Sequence, residues 1–392
     1  MASEIKYLLA QKYKRVLGSV YGKLKKFIRS FSGYYTWFNS YLEGLRLHTV
    51  MQTKPNVVND EDIKKYKKKW KVLSSRVPSL FMRVYPAFSQ IRSSDYVPDG
   101  LFFTHIEPML NNIEYSRSFA DKNLYHLLID VNVLPEVFLR KIHGRYLDSE
   151  YREVRSVNKF LQELAKDHPR MVFKYAIESQ GGKNIAILKS NGKRLFCGEE
   201  PISREWLDKG MGDNFLLQQF VVQHPFYAAF NHSSLNTVRV YTYRSVKDES
   251  IHVLQTILRV GKEGALLDNI SMGGKACGVS SDGKLNGVVC DIEGKIYDSI
   301  GAGKAKEGMR LHQYEQIVST AKSIAEKQFY TRLIGFDFCV DHENQIRLIE
   351  LNNFDVGVDI LQQCNGPLFG PFTDEIIQYC RSKRKSFRHI IR

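Results

Sequence analysis

The order of hydrophobic and polar residues divides the chain into a helical N-terminal part and a longer mixed part. In residues 4–31 apolar side chains recur every three or four positions and basic side chains occupy the other face, which predicts an amphipathic helix. Three prolines punctuate residues 76–98, so a domain boundary is expected near residue 100. Beyond it, short strand-like and helix-like segments alternate, which favours an α+β fold. The expected strands are residues 171–176, 185–189, 215–222 and 236–243, and the expected helices are residues 313–329 and 374–382.

A predicted β-hairpin near the C-terminus carries the most informative polar residues. Two strand-like runs, residues 333–340 and 346–351, flank a polar turn. Because side chains alternate along a strand, Glu350 and Asn352 share a face, and Asp337 lies on the neighbouring strand. Two carboxylates and an amide oxygen suit Mg²⁺ bound together with a polyphosphate. A hairpin with solvated acids is the alternative, but Glu350 stands among leucine and isoleucine residues, where a solvated acid is not expected.

Composition adds few constraints on function. The 392 residues are 43% hydrophobic and 25% charged, as in globular proteins. The six cysteines form no CxxC pair, which disfavours a zinc site and a disulfide framework and favours a reducing cytoplasm. No apolar run approaches the length of a membrane span, and basic residues interrupt the N-terminus too early for a signal peptide.

Positive charge is concentrated in the N-terminal part. Residues 1–100 hold 19 basic and 7 acidic residues, which is +12 of the net charge of +15. The helix of residues 1–31 either lies on an anionic membrane, at its inner face, or packs on its own domain with a solvated basic face. The lysine cluster at residues 64–71 is either a solvated helix face or an addition to that basic surface. No sequence-specific nucleic-acid signature is present.

A second hairpin has the residue types of a phosphate-binding loop. Lys174 precedes a tip that contains Ser179, Gln180, Gly181 and Gly182. Glycine lets backbone N–H groups approach phosphate oxygens closely, and a nearby lysine supplies a mobile positive charge.

This loop and the acidic hairpin together resemble the ATP-grasp superfamily. The resemblance implies two α/β lobes that clasp a nucleotide, a central lobe at about residues 118–215 and a C-terminal lobe at about 216–392, within an ATP-grasp domain of residues 101–392. Residues 1–100 form a separate basic, mainly helical region outside it.

Other positions extend the resemblance. Lys122 is similar to the family lysine that reaches an ATP phosphate. Gln218 stands where the family usually has a glutamate beside the adenine, and Val221 would offer its backbone to the ring. The ribose residue is left open between His224 and Gln223. The segments at residues 224–242 and 271–274 look most like the sugar-transfer-associated ATP-grasp group, which occurs with polysaccharide biosynthesis.

The resemblance implies a ligase that converts ATP to ADP and phosphate. Such an enzyme activates a small carboxylate as an acylphosphate and joins it to a sugar or amino acceptor, through an amine or hydroxyl. Lys122 and Lys174 would hold phosphates, and Arg239 would contact the γ-phosphate or the acylphosphate, unless it is a surface arginine. Asp337, Glu350 and Asn352 would bind one or two Mg²⁺ ions, or Mn²⁺ in their place.

The substrate side is less defined. Gly273 and Gly274 form a loop that would border the substrate, and Asp355 would either orient an amino group or cap a turn. Gly335 stands where D-alanine:D-alanine ligase has an arginine, so that enzyme's substrates are not implied. Two alternatives stay open, a kinase on the same fold and a non-catalytic, membrane-associated nucleotide-binding scaffold.

Overall fold

The N-terminal part of the chain is helical. A computed structural model describes residues 32–51, 57–177, 185–210, 212–265, 268–301 and 307–387. The helix predicted at residues 4–31 and the loop at residues 179–182 therefore lie outside the described residues. The first helices are α1 (Ser32–Met51), α2 (Asp60–Trp70), α3 (Leu80–Ser89), α4 (Asp99–Leu101), a π-helical turn (Phe102–Ile106), α5 (Glu107–Leu110) and α6 (Ile113–Phe119). None of the helices in the described ranges combines the length and hydrophobicity that crossing a bilayer requires.

A first seven-stranded antiparallel sheet follows, after a 3-10 turn at Lys122–Leu124, helix α7 (Tyr125–Leu128) and a 3-10 turn at Val131–Val133. Its strand order is β2-β1-β7-β3-β4-β5-β6. The elements are β1 (Val137–Ile142), β2 (Arg145–Asp148), α8 (Val157–Asp167), β3 (Arg170–Tyr175), β4 (Ile185–Ser190), β5 (Leu195–Cys197), β6 (Glu200–Pro201), α9 (Arg204–Gly210) and β7 (Phe215–Gln219). The predicted lobe boundary at residue 215 falls at the start of β7. Because β7 pairs with β1 and β3, the first sheet continues to Gln219.

A second seven-stranded sheet contains the acidic hairpin at its edge. Its strand order is β12-β11-β10-β9-β8-β13-β14. The strands are β8 (Thr237–Arg244), β9 (Ile251–Val260), β10 (Lys275–Val279), β11 (Leu285–Cys290), β12 (Ile296–Tyr297), β13 (Leu333–Val340) and β14 (Ile346–Asn352). The helices are α10 (Pro225–Ala228), a 3-10 turn at Ile270–Met272, α11 (Tyr314–Glu326), α12 (Asp359–Asn365), a 3-10 turn at Gly370–Phe372 and α13 (Thr373–Phe387). The two sheets with flanking helices confirm the α+β class, and β13 and β14 confirm the predicted hairpin.

The two faces of the second sheet are covered by different parts of the chain. On one face Val240, Leu258 and Phe336 pack against helix α11. On the other face Tyr243 and Leu333, which are cross-strand partners, belong to the core that contains Trp70 and Phe102 of the N-terminal region. The N-terminal helices therefore share a hydrophobic core with the second sheet.

The basic cluster at residues 64–71 divides between core and solvent. Tyr66 and Trp70 are fully buried, as expected for one face of an amphipathic helix. On the other side Lys64 and Lys68 are exposed, and Lys69 pairs with Asp95 at 2.6 Å and Asp374 at 2.8 Å.

A buried asparagine joins the segment between helices α5 and α6 to the acidic hairpin. The Asn111 Nδ2 atom donates to the carbonyl oxygens of Leu333 at 2.8 Å and Asn353 at 2.9 Å. Its Oδ1 atom accepts from the backbone N–H groups of Arg332 and Leu333, both at 2.9 Å. Asn111 is only 1% exposed, so its loss would leave several buried backbone groups without a partner.

Replacing Asn111 by alanine should therefore lower the free energy of unfolding by about 3 kcal/mol, since each orphaned buried group costs roughly 1–3 kcal/mol. The matched control is Asn112→Ala at the neighbouring exposed position, which should cost about 1 kcal/mol or less. Urea denaturation of both variants is the measurement. Equal losses would show that the Asn111 bonds do not stabilise the junction.

Candidate functional site

Three charged residues form one row across the second sheet. Asp337 of β13 lies directly opposite Arg239 of β8 on one side and Glu350 of β14 on the other. Cross-strand partners point to the same face of a sheet, so the three side chains meet there. Asn352, two residues beyond Glu350, lies opposite Gly335. The structure thus brings together the residues that the sequence predicted as metal ligands and the arginine predicted beside them.

Two arginines hold the Asp337 carboxylate. Arg239 donates to it through Nε and Nη2, both at 2.6 Å, and Arg259 donates through Nη1 at 2.8 Å. Burial alone would raise the pKa of Asp337, but the two guanidinium groups outweigh burial and hold it below its usual range. The bidentate Arg239 contact also fixes the plane of that guanidinium beside Glu350.

Arg259 and the acid beside it were not predicted from the sequence. Arg259 also lies 3.4 Å from Asp268, which accepts a hydrogen bond from the Thr237 hydroxyl. Burial raises the pKa of Asp268, and Arg259 partly opposes that effect. A usable signal was present, because Arg259 interrupts an otherwise apolar strand end in the same way that Glu350 does.

Two lysines of the first sheet's lobe reach the acidic hairpin. Lys122 Nζ lies 2.8 Å from Glu350 Oε1, and Lys174 Nζ donates to the carbonyl oxygen of Ile349 at 3.4 Å. Both lysines are more than 90% buried. Tyr125 adds a third link, because its hydroxyl accepts from the backbone N–H of Leu351 at 3.0 Å. The contact region between the two sheets, called the crevice below, therefore has cations on one side and Glu350 on the other.

Lys174 has an unusual protonation equilibrium. Burial lowers its pKa, Lys122 lowers it further, and Glu350 only partly restores it, so that the pKa falls to about 7. A nearby anion would favour the charged form of this lysine.

The residues predicted to contact a base and a ribose lie on β7 and in the segment that follows it, where the chain passes from the first sheet to the second. Gln218 of β7 is buried and, like Leu216 two residues before it, lies on the sheet face that carries Lys174. Val221 is also buried. His224 Nδ1 accepts from the N–H of Phe226 at 3.1 Å and caps helix α10. Gln223 donates through Nε2 to the carbonyl oxygens of Asn231 at 3.0 Å and Ser234 at 2.6 Å, so its amide nitrogen is engaged within the protein.

The predicted substrate residues lie in two loops. Gly273 has φ +93°, which favours glycine. A Cβ atom on Gly274 would come within 2.8 Å of the Asn269 carbonyl oxygen, so the two backbone segments of this loop lie too close together for a side chain at that position. Asp355 is exposed with φ +55°. Beside it the Glu107 carboxylate accepts from the N–H of Val356 at 2.8 Å, and burial raises the pKa of Glu107 to about 8.

The donor set fits a magnesium ion that is shared with a ligand. Glu350 is 31% exposed at its side chain, so its carboxylate remains accessible to an ion. Across the described ranges no three His, Cys, Asp or Glu side chains form a metal-binding group by themselves. An ion here would therefore take few protein oxygens and depend on ligand or water oxygens, as Mg²⁺ commonly does.

Comparison with known proteins adds a family. The family model described as sugar-transfer associated ATP-grasp matches residues 102–376. No curated protein matches the chain.

Several solved structures match the chain at low similarity. D-alanyl-alanine synthetase A from Vibrio cholerae is 12% identical with a TM-score of 0.38, and 67% of this chain and 64% of that chain are covered. Biotin carboxylase from Campylobacter jejuni is 10% identical with a TM-score of 0.38, covering 67% and 46%. N5-carboxyaminoimidazole ribonucleotide synthetase from Thermotoga maritima is 11% identical with a TM-score of 0.33, covering 64% and 49%. The chain thus spans about half to two thirds of these structures, and the similarity is too low to identify an activity.

The low pKa of Lys174 predicts a pH-dependent stability. Its folded-state pKa of about 7 lies below the ordinary value of 10.5, so between these two values the unfolded chain holds a proton that the folded chain lacks. The contribution of Lys174 therefore destabilises the fold fully below pH 7, and this cost declines as the pH rises toward 10.5. The Lys174→Met variant should be more stable than the wild type at pH 6, by an amount that shrinks at pH 9.

Urea denaturation at several pH values measures this difference. Lys189→Met, at an exposed position on the neighbouring strand β4, is the control and should leave the pH profile unchanged. A stability difference for Lys174→Met that does not vary with pH would contradict the prediction.

Proposed function

Because the chain belongs to the sugar-transfer-associated ATP-grasp family, we propose that it is an ATP-dependent ligase that joins a carboxylate to an amine or hydroxyl acceptor. The observation that carries the proposal is the 2.8 Å contact between Lys122 of one lobe and Glu350 of the other. This contact brings lysine side chains, which can bind phosphate, and side-chain oxygens, which can bind a metal ion, to opposite sides of the crevice. A nucleotide polyphosphate in magnesium form is the ligand that needs both.

The proposed reaction has two steps. A carboxylate oxygen of the substrate attacks the γ-phosphorus of ATP, and ADP leaves with the electron pair of the broken P–O bond. The acceptor amine or hydroxyl then attacks the acyl carbon and loses a proton to solvent, and phosphate leaves with the electron pair of the broken C–O bond. Neither step requires a protein nucleophile, so the protein contributes positioning and charge neutralisation.

The charged residues have separate tasks in this scheme. Lys122 and Lys174 neutralise the phosphate chain, and Gln218 and Val221 contact the base. Arg239, held in plane by Asp337, faces the phosphoryl group that is transferred. Glu350, Asn352 and the remaining lone pair of Asp337 would hold Mg²⁺ or Mn²⁺, which neutralises charge on the phosphates.

The acceptor side of the proposal rests on the loops after the hairpin. Asp355 is exposed, and the carboxylate of Glu107 lies in the same neighbourhood. The exposed Asp355 carboxylate suits an acceptor with an amino group, and the family description favours a sugar or glycan precursor in polysaccharide synthesis. The proposed location is the cytoplasm, at the inner membrane face where the basic residues 1–31 and 64–71 would contact anionic lipid.

The proposal predicts ADP release that requires Mg²⁺, ATP, a carboxylate and an acceptor together. A screen of amino acids against nucleotide sugars, with ADP measured by a coupled assay and products by mass spectrometry, tests it. Free phosphate with an amide or ester product is the expected result. A phosphorylated acceptor would identify a kinase, and no substrate-dependent ADP release would favour the scaffold alternative.

The Glu350→Gln variant tests the role of the hairpin. It removes the carboxylate charge and changes side-chain volume little, so ADP release should fall by about 100-fold or more. Glu343→Gln, at an exposed position in the turn of the same hairpin, is the control and should retain full activity. Wild-type turnover by Glu350→Gln at saturating Mg²⁺ would rule out the assigned role.

A further inference from the structure

A buried arginine lies behind the two lysines of the crevice. Arg140 of β1 lies opposite Leu216 of β7, which in turn lies opposite Lys174 of β3. The three side chains therefore share the sheet face that looks toward the acidic hairpin, whereas Leu139 and Leu217 point into the core on the other face. Arg140 has no exposed surface.

This arginine has no carboxylate partner in the part of the chain that the structure describes. Its Nε and Nη2 atoms are buried without a hydrogen-bond acceptor there. Its contacts are the carbonyl oxygen of Asn123, to which Nη1 donates at 3.3 Å, and the ring of Tyr151, whose centroid lies 4.5 Å from the guanidinium carbon. A buried, unpaired charge is costly, so its position requires an explanation other than stability.

Tyr151 converges on the same carbonyl group. Its hydroxyl donates to the Asn123 oxygen at 2.6 Å while its ring covers Arg140. Tyr151 also has φ +60°, a left-handed conformation that a bulky side chain rarely adopts. Such backbone strain persists where the surrounding contacts require one geometry, and it is concentrated at functional sites.

The shared carbonyl belongs to the turn that carries Lys122. Asn123 directly follows Lys122, and the Asp121 carboxylate caps the turn by accepting from the N–H of Asn123 at 2.9 Å. The backbone N–H of Lys122 itself donates to the carbonyl oxygen of Ala176 at 3.1 Å. The turn is thereby fixed from three sides, and Lys122 extends from it toward Glu350.

We propose that Arg140 and Tyr151 are positioning residues for Lys122: by donating together to the Asn123 carbonyl they hold that lysine where a nucleotide phosphate binds. The proposal rests on the proposed function, because it concerns the affinity of the same crevice for a nucleotide. It gives this buried arginine a role, since its guanidinium group and the Tyr151 hydroxyl together fix the Asn123 carbonyl group.

A double-mutant cycle tests this inference. The affinity of the full-length chain for the non-hydrolysable probe MgAMP-PNP is measured by calorimetry for the wild type, Arg140→Met, Lys122→Met and the double variant. Arg140→Met should weaken binding at least about tenfold when Lys122 is present, and less than about twofold when Lys122 is already methionine. Arg145→Met, at an exposed arginine on the adjacent strand β2, should leave binding unchanged.

The possible outcomes distinguish failure of the proposed function from failure of the positioning role of Arg140 and Tyr151. Absence of probe binding by the wild type overturns the proposed function and this inference with it. Wild-type affinity in Arg140→Met, or an equal loss in both Lys122 backgrounds, overturns the inference alone. If Arg140→Met does not fold, Tyr151→Phe takes its place in the cycle, because it removes only the hydroxyl that donates to Asn123 and should weaken binding at least threefold when Lys122 is present.

Discussion

The approach of Lys122 to Glu350 across the crevice is the constraint on which the rest of the structure depends. The buried Lys122 ammonium group lies 2.8 Å from the partly exposed Glu350 carboxylate, a distance that requires the two lobes to meet at that point. Tyr125, Lys174 and Asn111 maintain that arrangement through bonds to the strands of the acidic hairpin. Each of these contacts joins residues far apart in sequence.

The second sheet provides the fixed part of the site and the first sheet's lobe provides the cations. Asp337 lies on β13, next to the edge strand, and is held by two arginines, so the side chains of its row have fixed positions. Lys122, in contrast, extends from a short turn whose position depends on contacts with neighbouring strands. This division suits a nucleotide site, because a rigid set of oxygens meets cations that are set by a separate lobe.

The sequence was sufficient for local structure and insufficient for contacts between distant strands. The hairpin at β13 and β14 was predicted correctly because alternation along a strand is a local pattern, and Glu350 was noticed because it interrupts an apolar run. Arg259 was missed, since its meeting with Asp337 depends on the pairing of β8 with β9 and β13. The packing of the N-terminal helices on the second sheet was also not foreseen, because the pattern that predicts a helix does not say what covers its apolar face.

The most direct test of the central claim is a structure of the full chain with a bound non-hydrolysable MgATP analogue. We predict that the phosphate chain lies within hydrogen-bond distance of Lys122 and Lys174 and that the metal contacts Glu350. Binding of the analogue outside the crevice, or a crevice still closed by the Lys122 and Glu350 pair at saturating analogue, would contradict it.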